Sequence, residues 1–308
     1  MYPYLPTIPA LHLGHFVLGP FHIGTFGLML WLAAVCATIV LYKNFARNGS
    51  DADALNIVTL VVLSGILGAK LWHELENVRE LEIAWREIFA PGAPAAEIFF
   101  NFLHWFQAGF AWYGGMLAAI AMLAYQGMIA KPNGLTGSRA ALRMLDFAAP
   151  AAAIGYGVGR IGCLLSGDGD YGINTTLPWG VHMAHGLTEY TRALVVPNPP
   201  TAAVQPTPIY ELLFALALAW WLWKRASKPL PLGFLTGEYL VLSGIGRFLV
   251  EFIRINPRIY FGHTMSNAQV AALGSVVFGT VMMFLTRHNQ AIVSQPLPKI
   301  TKDMPATA

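Results

Sequence analysis

Three arginines stand in stretches where arginine is costly. Arg160 lies in Gly155-Tyr-Gly-Val-Gly-Arg-Ile-Gly-Cys163, and Arg247 and Arg254 flank Glu251 in Gly246-Arg-Phe-Leu-Val-Glu-Phe-Ile-Arg254. An ionised side chain at the centre of a bilayer costs about 3 kcal/mol on insertion scales, so such groups mark functional positions by default. A guanidinium suits a phosphate because it binds in a bidentate way. Glycines such as Gly159 let a backbone or a ligand approach closely. Two readings of Arg160 stand side by side: a phosphate ligand, or an arginine paired with a carboxylate beside glycines that pack helices. Arg247, Glu251 and Arg254 are spaced i, i+4 and i+7, which puts them on one helical face. That face is either a salt-bridge ladder or an anion site in which Glu251 holds one arginine and leaves the other to a ligand. The two are compatible.

Other positions carry weaker signals. Asp168 and Asp170 alternate with glycines in Ser166-Gly-Asp-Gly-Asp-Tyr-Gly172. The remaining ligands of a calcium loop are missing at the required spacing, so no metal is expected. A turn with one functional acid and a purely structural turn remain open. Trp112-Tyr113-Gly114-Gly115 opens an apolar run, where Tyr113 is either an interfacial anchor or a hydroxyl facing a cavity. Pro206-Thr-Pro-Ile-Tyr-Glu211 opens another; its prolines suit a helix start, and Glu211 gains from the helix dipole. His73 and His104 are isolated. A basic, glycine-lined site of this kind points to an anionic amphiphile, and a phospholipid headgroup is the simplest candidate.

The elements that must position these residues are membrane spans. Of 308 residues, 56% are hydrophobic and only 11% are charged, against about 25% charged in a soluble domain. The surplus apolar surface must face lipid. Apolar stretches near the ~20-residue crossing length fall at about 22–42, 54–73, 109–130, 145–165, 207–223, 233–253 and 267–286. The expected fold is an all-α integral membrane protein, a seven-helix transmembrane bundle over 1–290. Extramembrane segments fall near 74–104 and 166–205, and a polar, disordered cytoplasmic tail covers 291–308. Within 74–104 the charged stretch Glu74 to Glu87 reads as helix, broken by Pro91-Gly-Ala-Pro94.

Basic residues set the orientation. One side holds Lys43, Arg47, Lys131, Arg139, Arg143, Lys224, Arg225, Lys228, Arg287, Lys299 and Lys302, eleven of nineteen. That side should be cytoplasmic, which places the N-terminus outside and the C-terminus inside. The net charge of +3 reflects loops facing anionic lipid rather than nucleic acid. Cys36 and Cys163 sit in apolar stretches, so no disulfide framework is expected. The first twenty residues lack Lys and Arg, so no cleavable signal peptide is expected. The absence of an inverted repeat argues against a transporter.

The same residues carry a resemblance. Gly159-Arg-Ile-Gly-Cys163, Pro206-Thr-Pro-Ile-Tyr-Glu211 and Gly246-Arg-Phe-Leu-Val-Glu-Phe-Ile-Arg254 resemble motifs of prolipoprotein diacylglyceryl transferase, in order and spacing. Gly65-Ile-Leu-Gly-Ala-Lys-Leu71, Tyr113-Gly-Gly115 and the opening Leu18-Gly-Pro-Phe-His-Ile-Gly-Thr-Phe-Gly27 also fit. The resemblance runs from about 16 to 285. It implies a seven-helix bundle in a bacterial inner (plasma) membrane and no cofactor. The implied reaction moves a diacylglyceryl group from phosphatidylglycerol to a lipobox cysteine thiol of a secreted precursor. Arg160 and Arg247 match the family's two important arginines, and Glu251 matches its acidic partner. The family has His where Tyr113 stands, Asn at Cys163, Tyr at Phe26 and Ser243, and His at Gln205. Asp168 stands for a Glu, with one residue inserted before Gly172.

Two functions follow. In the first the chain is a transferase: Arg160 and Arg247 hold the phosphate, Tyr113 or Asp168 assists proton transfer, and Glu251 orients Arg247. Gly114, Gly115, Gly159 and Arg254 then complete the substrate site. In the second it is an inactive lipid-binding paralogue that serves as a subunit or scaffold of a membrane complex.

Overall fold

The computed structural model describes residues 2–6, 9, 11–13, 16–18, 22–107, 109–167, 171–182 and 203–288. Asp168, Asp170 and the tail at 291–308 lie outside the described residues, as does most of the 166–205 loop. Among the described residues the chain is mostly helical. The helices are α1 (Thr25–Arg47), α2 (Ala54–Glu76), α3 (Val78–Ile88), α4 (Ala95–Gln107), α5 (Trp112–Ala130), α6 (Gly137–Ser166), α7 (Thr207–Arg225), α8 (Phe234–Val250) and α9 (Asn267–Thr286). Two short antiparallel hairpins add strand, which an all-helical reading did not anticipate. β1 (Leu11–Leu13) pairs with β2 (Phe16–Leu18), and β3 (Arg258–Tyr260) with β4 (Met265–Ser266).

Each of the seven expected stretches is a helix, with shifted ends. α1 continues to Arg47, and α6 begins at Gly137 rather than near 145. α8 stops at Val250, a 3-10 turn follows at Glu251–Ile253, and Arg254 is extended (φ −81°, ψ 157°). The expected single helical face through Arg254 is therefore broken. Gly172 forms a β-bridge with Arg254, and the Asn256-Pro257 pair just beyond disfavours helix. Five helices, α1, α2, α5, α6 and α9, are long and apolar enough to cross a membrane. Of the other two, α7 carries Glu211, Lys224 and Arg225, and α8 has 17 residues.

The chain forms two compact units, one of residues 1–51 with 146–308 and one of 52–145. In the larger unit small residues let helices approach. Gly155 and Gly162 of α6 face α1, where an added Cβ would meet Ala37 Cβ at 3.6 Å and Met29 Cβ at 3.0 Å. Gly157 faces α7, against Ala215 Cβ at 3.0 Å. α8 meets α9 through Gly237 and Gly244, where an added Cβ would lie 2.9 Å from Gly279 O and 2.8 Å from Ala272 O. Close backbone packing of this kind holds apolar helices together where the hydrophobic drive between them is weak. A cluster of Ala149, Ala153, Leu218, Ala219, Leu222 and Leu235 fills the space between α6, α7 and α8.

In the smaller unit α2 packs on α5 in the same way. A Cβ at Gly68 would lie 2.7 Å from Gly114 O, and one at Gly115 3.1 Å from Gly65 O. α3 and α4 fold as a hairpin between these two helices, with Gly92 (φ 84°) in the turn.

A buried carboxylate fixes the start of α8. Asp146 on α6 accepts from Gly233 N at 2.7 Å, Thr236 N at 2.9 Å and Thr236 Oγ1 at 2.7 Å. It satisfies donors that a helix start leaves orphaned. We expect Asp146→Ala to destabilise the protein by about 1–3 kcal/mol, the cost of stranding buried donors, and Asp146→Asn to cost less. Unfolding in detergent checks this; an unchanged midpoint for Asp146→Ala would refute the assigned role.

Candidate active site

The larger unit gathers the arginines around one carboxylate. Glu211, one turn into α7, is buried to 5% exposure. The fold needs it there because α7 turns a single face inward, through Pro208, Glu211, Ala215, Leu218 and Leu222. Its Oε1 accepts from Tyr156 Oη at 2.5 Å and from Arg247 Nη1 at 3.0 Å. Its Oε2 lies 3.3 Å from Arg254 Nη1 and 3.5 Å from Arg160 Nε. Two helices, α6 and α8, and the extended segment after α8 thus converge on one side chain of α7.

Glu251, at 3% exposure, is the second carboxylate. Its Oε2 lies 3.0 Å from Arg247 Nη2 and 3.5 Å from Arg254 Nε. Its Oε1 accepts from Ser266 Oγ and Asn256 Nδ2, both at 2.7 Å. The reading in which Glu251 holds one arginine and leaves the other to a ligand needs correcting: both arginines bridge both carboxylates. The i, i+4 contact of Arg247 with Glu251 is as the spacing predicts. Arg254 reaches Glu251 despite leaving the helix, because the backbone turns back at the 3-10 segment.

Arg160 completes the cluster from α6. Its guanidinium lies 4.7 Å from the centre of the Tyr156 ring, and Nη1 is 3.7 Å from Cys163 Sγ. Tyr156 precedes Arg160 by four residues, so both sit on one face of α6. A Cβ at Gly159 would meet nothing within 4 Å. Packing among the described residues does not require that glycine. Among the described residues the cluster holds three guanidiniums and two carboxylates, one positive charge in excess. Arg160 and Arg247 are partly exposed, with side chains at 16% and 24%, whereas Arg254 is at 4%. The exposed pair is what a ligand can reach; Arg254 holds the carboxylates in register.

The segments around the cluster are tied down. Gly172 N donates to Gln205 O at 2.9 Å and Ile173 N to Ile253 O at 2.8 Å. A Cβ at Gly172 would lie 2.6 Å from Ile253 O, so only glycine fits. Gln205 donates to Thr175 Oγ1 at 3.1 Å and accepts from Tyr210 Oη at 2.6 Å, and Trp179 Nε1 donates to that same hydroxyl at 2.7 Å. Ser243 turns its hydroxyl to Leu240 O at 3.3 Å.

Of the residues singled out in the sequence, Arg160, Arg247, Glu251 and Arg254 come together, with Gly159 next to Arg160 in the chain. Tyr113, Gly114 and Gly115 belong to the smaller unit. Tyr113 opens α5 with its ring edge-on to Trp112, 5.5 Å between centroids. Gly114 is buried against Gly68 and Trp72 of α2, and Gly115 against Gly65 and Ala69. The glycine pair therefore packs helices. An apolar groove of about 460 Å³ lies beside it, lined by Ala69, Phe110, Trp112, Gly115 and Met116. No group of three or more metal-ligating side chains occurs among the described residues.

Sequence reasoning missed Tyr156 and the centrality of Glu211. The signal for Glu211 was present: an acid inside an apolar stretch, the criterion that singled out the arginines. Tyr156 was detectable by its four-residue offset from Arg160.

Residues 14–285 match the family described as prolipoprotein diacylglyceryl transferase. The chain belongs to that family. It is 29% identical to the phosphatidylglycerol–prolipoprotein diacylglyceryl transferase 2 of Clostridium perfringens, over 84% of this chain and 89% of that protein. It is 29% identical to the phosphatidylglycerol–prolipoprotein diacylglyceryl transferase of Clostridium tetani, over 86% of this chain and 94% of that protein. It is 26% identical to the enzyme of that name in Nitrosospira multiformis, over 90% and 87%. Membership in this transferase family covers the whole arginine cluster, from Arg160 to Arg254.

Removing Glu211 would leave three guanidiniums around one carboxylate. Breaking a buried ion pair in this way costs about 3–5 kcal/mol. We expect Glu211→Ala to lower the unfolding midpoint far more than Glu211→Gln, which keeps an acceptor for Tyr156. Equal midpoints for the two variants would contradict the hub assignment.

Proposed function

We propose that this protein transfers a diacylglyceryl group from phosphatidylglycerol to the thiol of a lipobox cysteine in a secreted precursor. The observation that carries the proposal is the arginine cluster, with the Arg160 and Arg247 guanidiniums partly exposed and held beside each other by Glu211. A phosphatidylglycerol headgroup carries one negative charge on its phosphodiester, which such guanidiniums bind. Arg160 and Arg247 take the phosphate oxygens, and Glu211, Glu251 and Arg254 hold the two guanidiniums at a fixed spacing.

In the reaction the thiol sulfur bonds to the glyceryl carbon as that carbon's bond to the phosphate oxygen breaks. The thiol proton passes to a base, and glycerol phosphate leaves. Negative charge grows on the departing phosphate, so preorganised guanidiniums stabilise the transition state more than the ground state. The nucleophile is the thiolate. Tyr113 stands where the family has histidine, and with Asp168 it is our candidate for assisting the proton's departure.

The proposal places the chain in a bacterial inner membrane as seven spans, N-terminus outside and C-terminus cytoplasmic. Five spans satisfy length and apolarity outright. Two observations support α7 and α8 as the others. Each turns exposed apolar side chains away from the core: Leu213, Leu216, Trp220 and Trp221 on α7, Ile245 and Leu249 on α8. At 1.5 Å per residue, the 17 residues of α8 reach about 26 Å, within the range of a crossing helix.

We expect Arg160→Ala and Arg247→Ala each to lower transfer to a lipobox peptide by about 100–1000-fold, the usual cost of removing one transition-state donor. Lysine at either site should recover only part, since it lacks the bidentate fork. Full activity in either alanine variant would overturn the assignment. Tyr113→Phe should lower kcat by about 100-fold, and Tyr113→His should restore it, because imidazole titrates near neutral pH. Unchanged kcat in Tyr113→Phe would remove Tyr113 from the reaction.

A further inference from the structure

The hairpin of α3 and α4 has no place in the reaction, yet it is built with care. α3 is two-faced with one exception. Arg79, Glu80, Glu82, Arg86 and Glu87 share one side, with exposed Ile83 among them, while Leu81, Ala84, Trp85 and Ile88 share the other, which Phe89 continues just past the helix end. α4 carries Ile98, Phe99, Phe102, Trp105 and Phe106 along one broad stripe. Part of this apolar surface is used internally: Trp85 lies 5.0 Å from Phe89 and 5.7 Å from Trp105, between ring centroids. Much of it is not. Val78, Phe89, Phe99 and Phe100 are exposed by 53–66%.

The hairpin's position is fixed by a buried lysine. Lys70, on α2 and 5% exposed, pairs with Glu74 Oε1 at 2.8 Å and donates to Trp105 O at 2.7 Å. Its ammonium also sits 4.2 Å from the centre of the Trp105 ring. α4 is therefore locked to the end of α2. Both ends of the hairpin are also tied to membrane-crossing helices. Asn77 alone separates α2 from α3, and after α4 the chain enters α5 at Trp112, with Ala111 N bonded to Ala69 O at 2.9 Å. α2 and α5 are both long and apolar enough to cross a bilayer. A one-residue connection gives α3 no length in which to leave the bilayer surface.

We propose that α3 and α4 form an interfacial hairpin that lies in the headgroup layer of the leaflet where α2 ends and α5 begins. Its occupant is the phospholipid leaflet itself. Val78, Phe89, Phe99, Phe100 and Leu103 enter the acyl region, and the charged face of α3 stays in water. Exposed Phe and Trp on a two-faced helix continuous with a span are the chemistry of that layer. The Lys70 lock sets the angle at which the aromatic edge meets the lipid.

Site-directed spin labelling of the full chain tests this in vesicles of phosphatidylethanolamine and phosphatidylglycerol. Phe100→Cys, Phe99→Cys and Glu87→Cys are labelled separately, and the signal of the labelled parent chain, which holds Cys36 and Cys163, is subtracted. Labels at 100 and 99 should relax several-fold more with oxygen, which concentrates in lipid, than with a water-soluble nickel complex. The label at 87 should show the reverse. Two results overturn the proposal: nickel dominating at 99 and 100, which puts the hairpin in water, or both reagents excluded there, which means a second copy or another protein covers it. Neither outcome depends on transferase activity, so the experiment stands apart from the reading of the arginine cluster.

Discussion

The Glu211 carboxylate is the constraint on which the site depends. A lone buried carboxylate or guanidinium is strongly disfavoured where water is excluded. Here α6, α7, α8 and the strand-like segment at Arg254 each bring one member of a cluster that none could hold alone. Arg160 and Arg247 are held apart by the two oxygens of Glu211, and Glu251 keeps Arg247 from collapsing onto it. The result is a pair of guanidiniums, Arg160 and Arg247, set side by side by shared carboxylates. That is the electrostatic form a phosphate site needs, because its donors are in place before the ligand arrives.

Helix packing serves that cluster. Glycine and alanine at the contact points of α6 with α1 and α7 bring backbones close enough for short reaches between Arg160, Tyr156 and Glu211. Gly172 has the same duty where the segment after 171 crosses behind Arg254. A larger residue there would press on Ile253 O and shift Arg254, the most buried arginine of the cluster. Asp146 then fixes the start of α8, one end of the helix that delivers Arg247. These residues touch no substrate in the proposed reaction, but each sets a coordinate of one that does.

Much of this was legible in the sequence, for physical reasons. Each apolar run falls on a helix, and five of those helices are long and apolar enough to cross a membrane, because hydropathy records directly what can face lipid. Charges inside those runs found Arg160, Arg247, Glu251 and Arg254, because only a paired or functional charge survives there. What failed was geometry that depends on tertiary pairing. Arg254 was read onto the helical face, yet a bridge to Gly172, distant in sequence, pulls it out of the helix. Glu211 was read as a dipole partner because local position explained it well enough; nothing in its own segment says that three arginines converge on it. Gly114 and Gly115 looked like ligand-facing glycines, and only the partner helix α2 shows that the space of their missing Cβ atoms is taken, by Trp72 Cβ and Gly68 O at one and by Gly65 O and Ala69 Cβ at the other.

The departures from the family pattern divide along the same line. The arginines and carboxylates of the cluster keep the family pattern, while Tyr113, Cys163, Phe26, Ser243 and Gln205 depart from it. Gln205 has found new partners in Thr175 and Tyr210, which argues for accommodation rather than decay. The most direct measurement is mass spectrometry of a lipobox peptide incubated with the purified protein and phosphatidylglycerol. The account predicts a thioether-linked diacylglyceryl adduct on the cysteine, with glycerol phosphate released in equal amount. Phosphatidylglycerol retained by the protein while the peptide stays unmodified would contradict it.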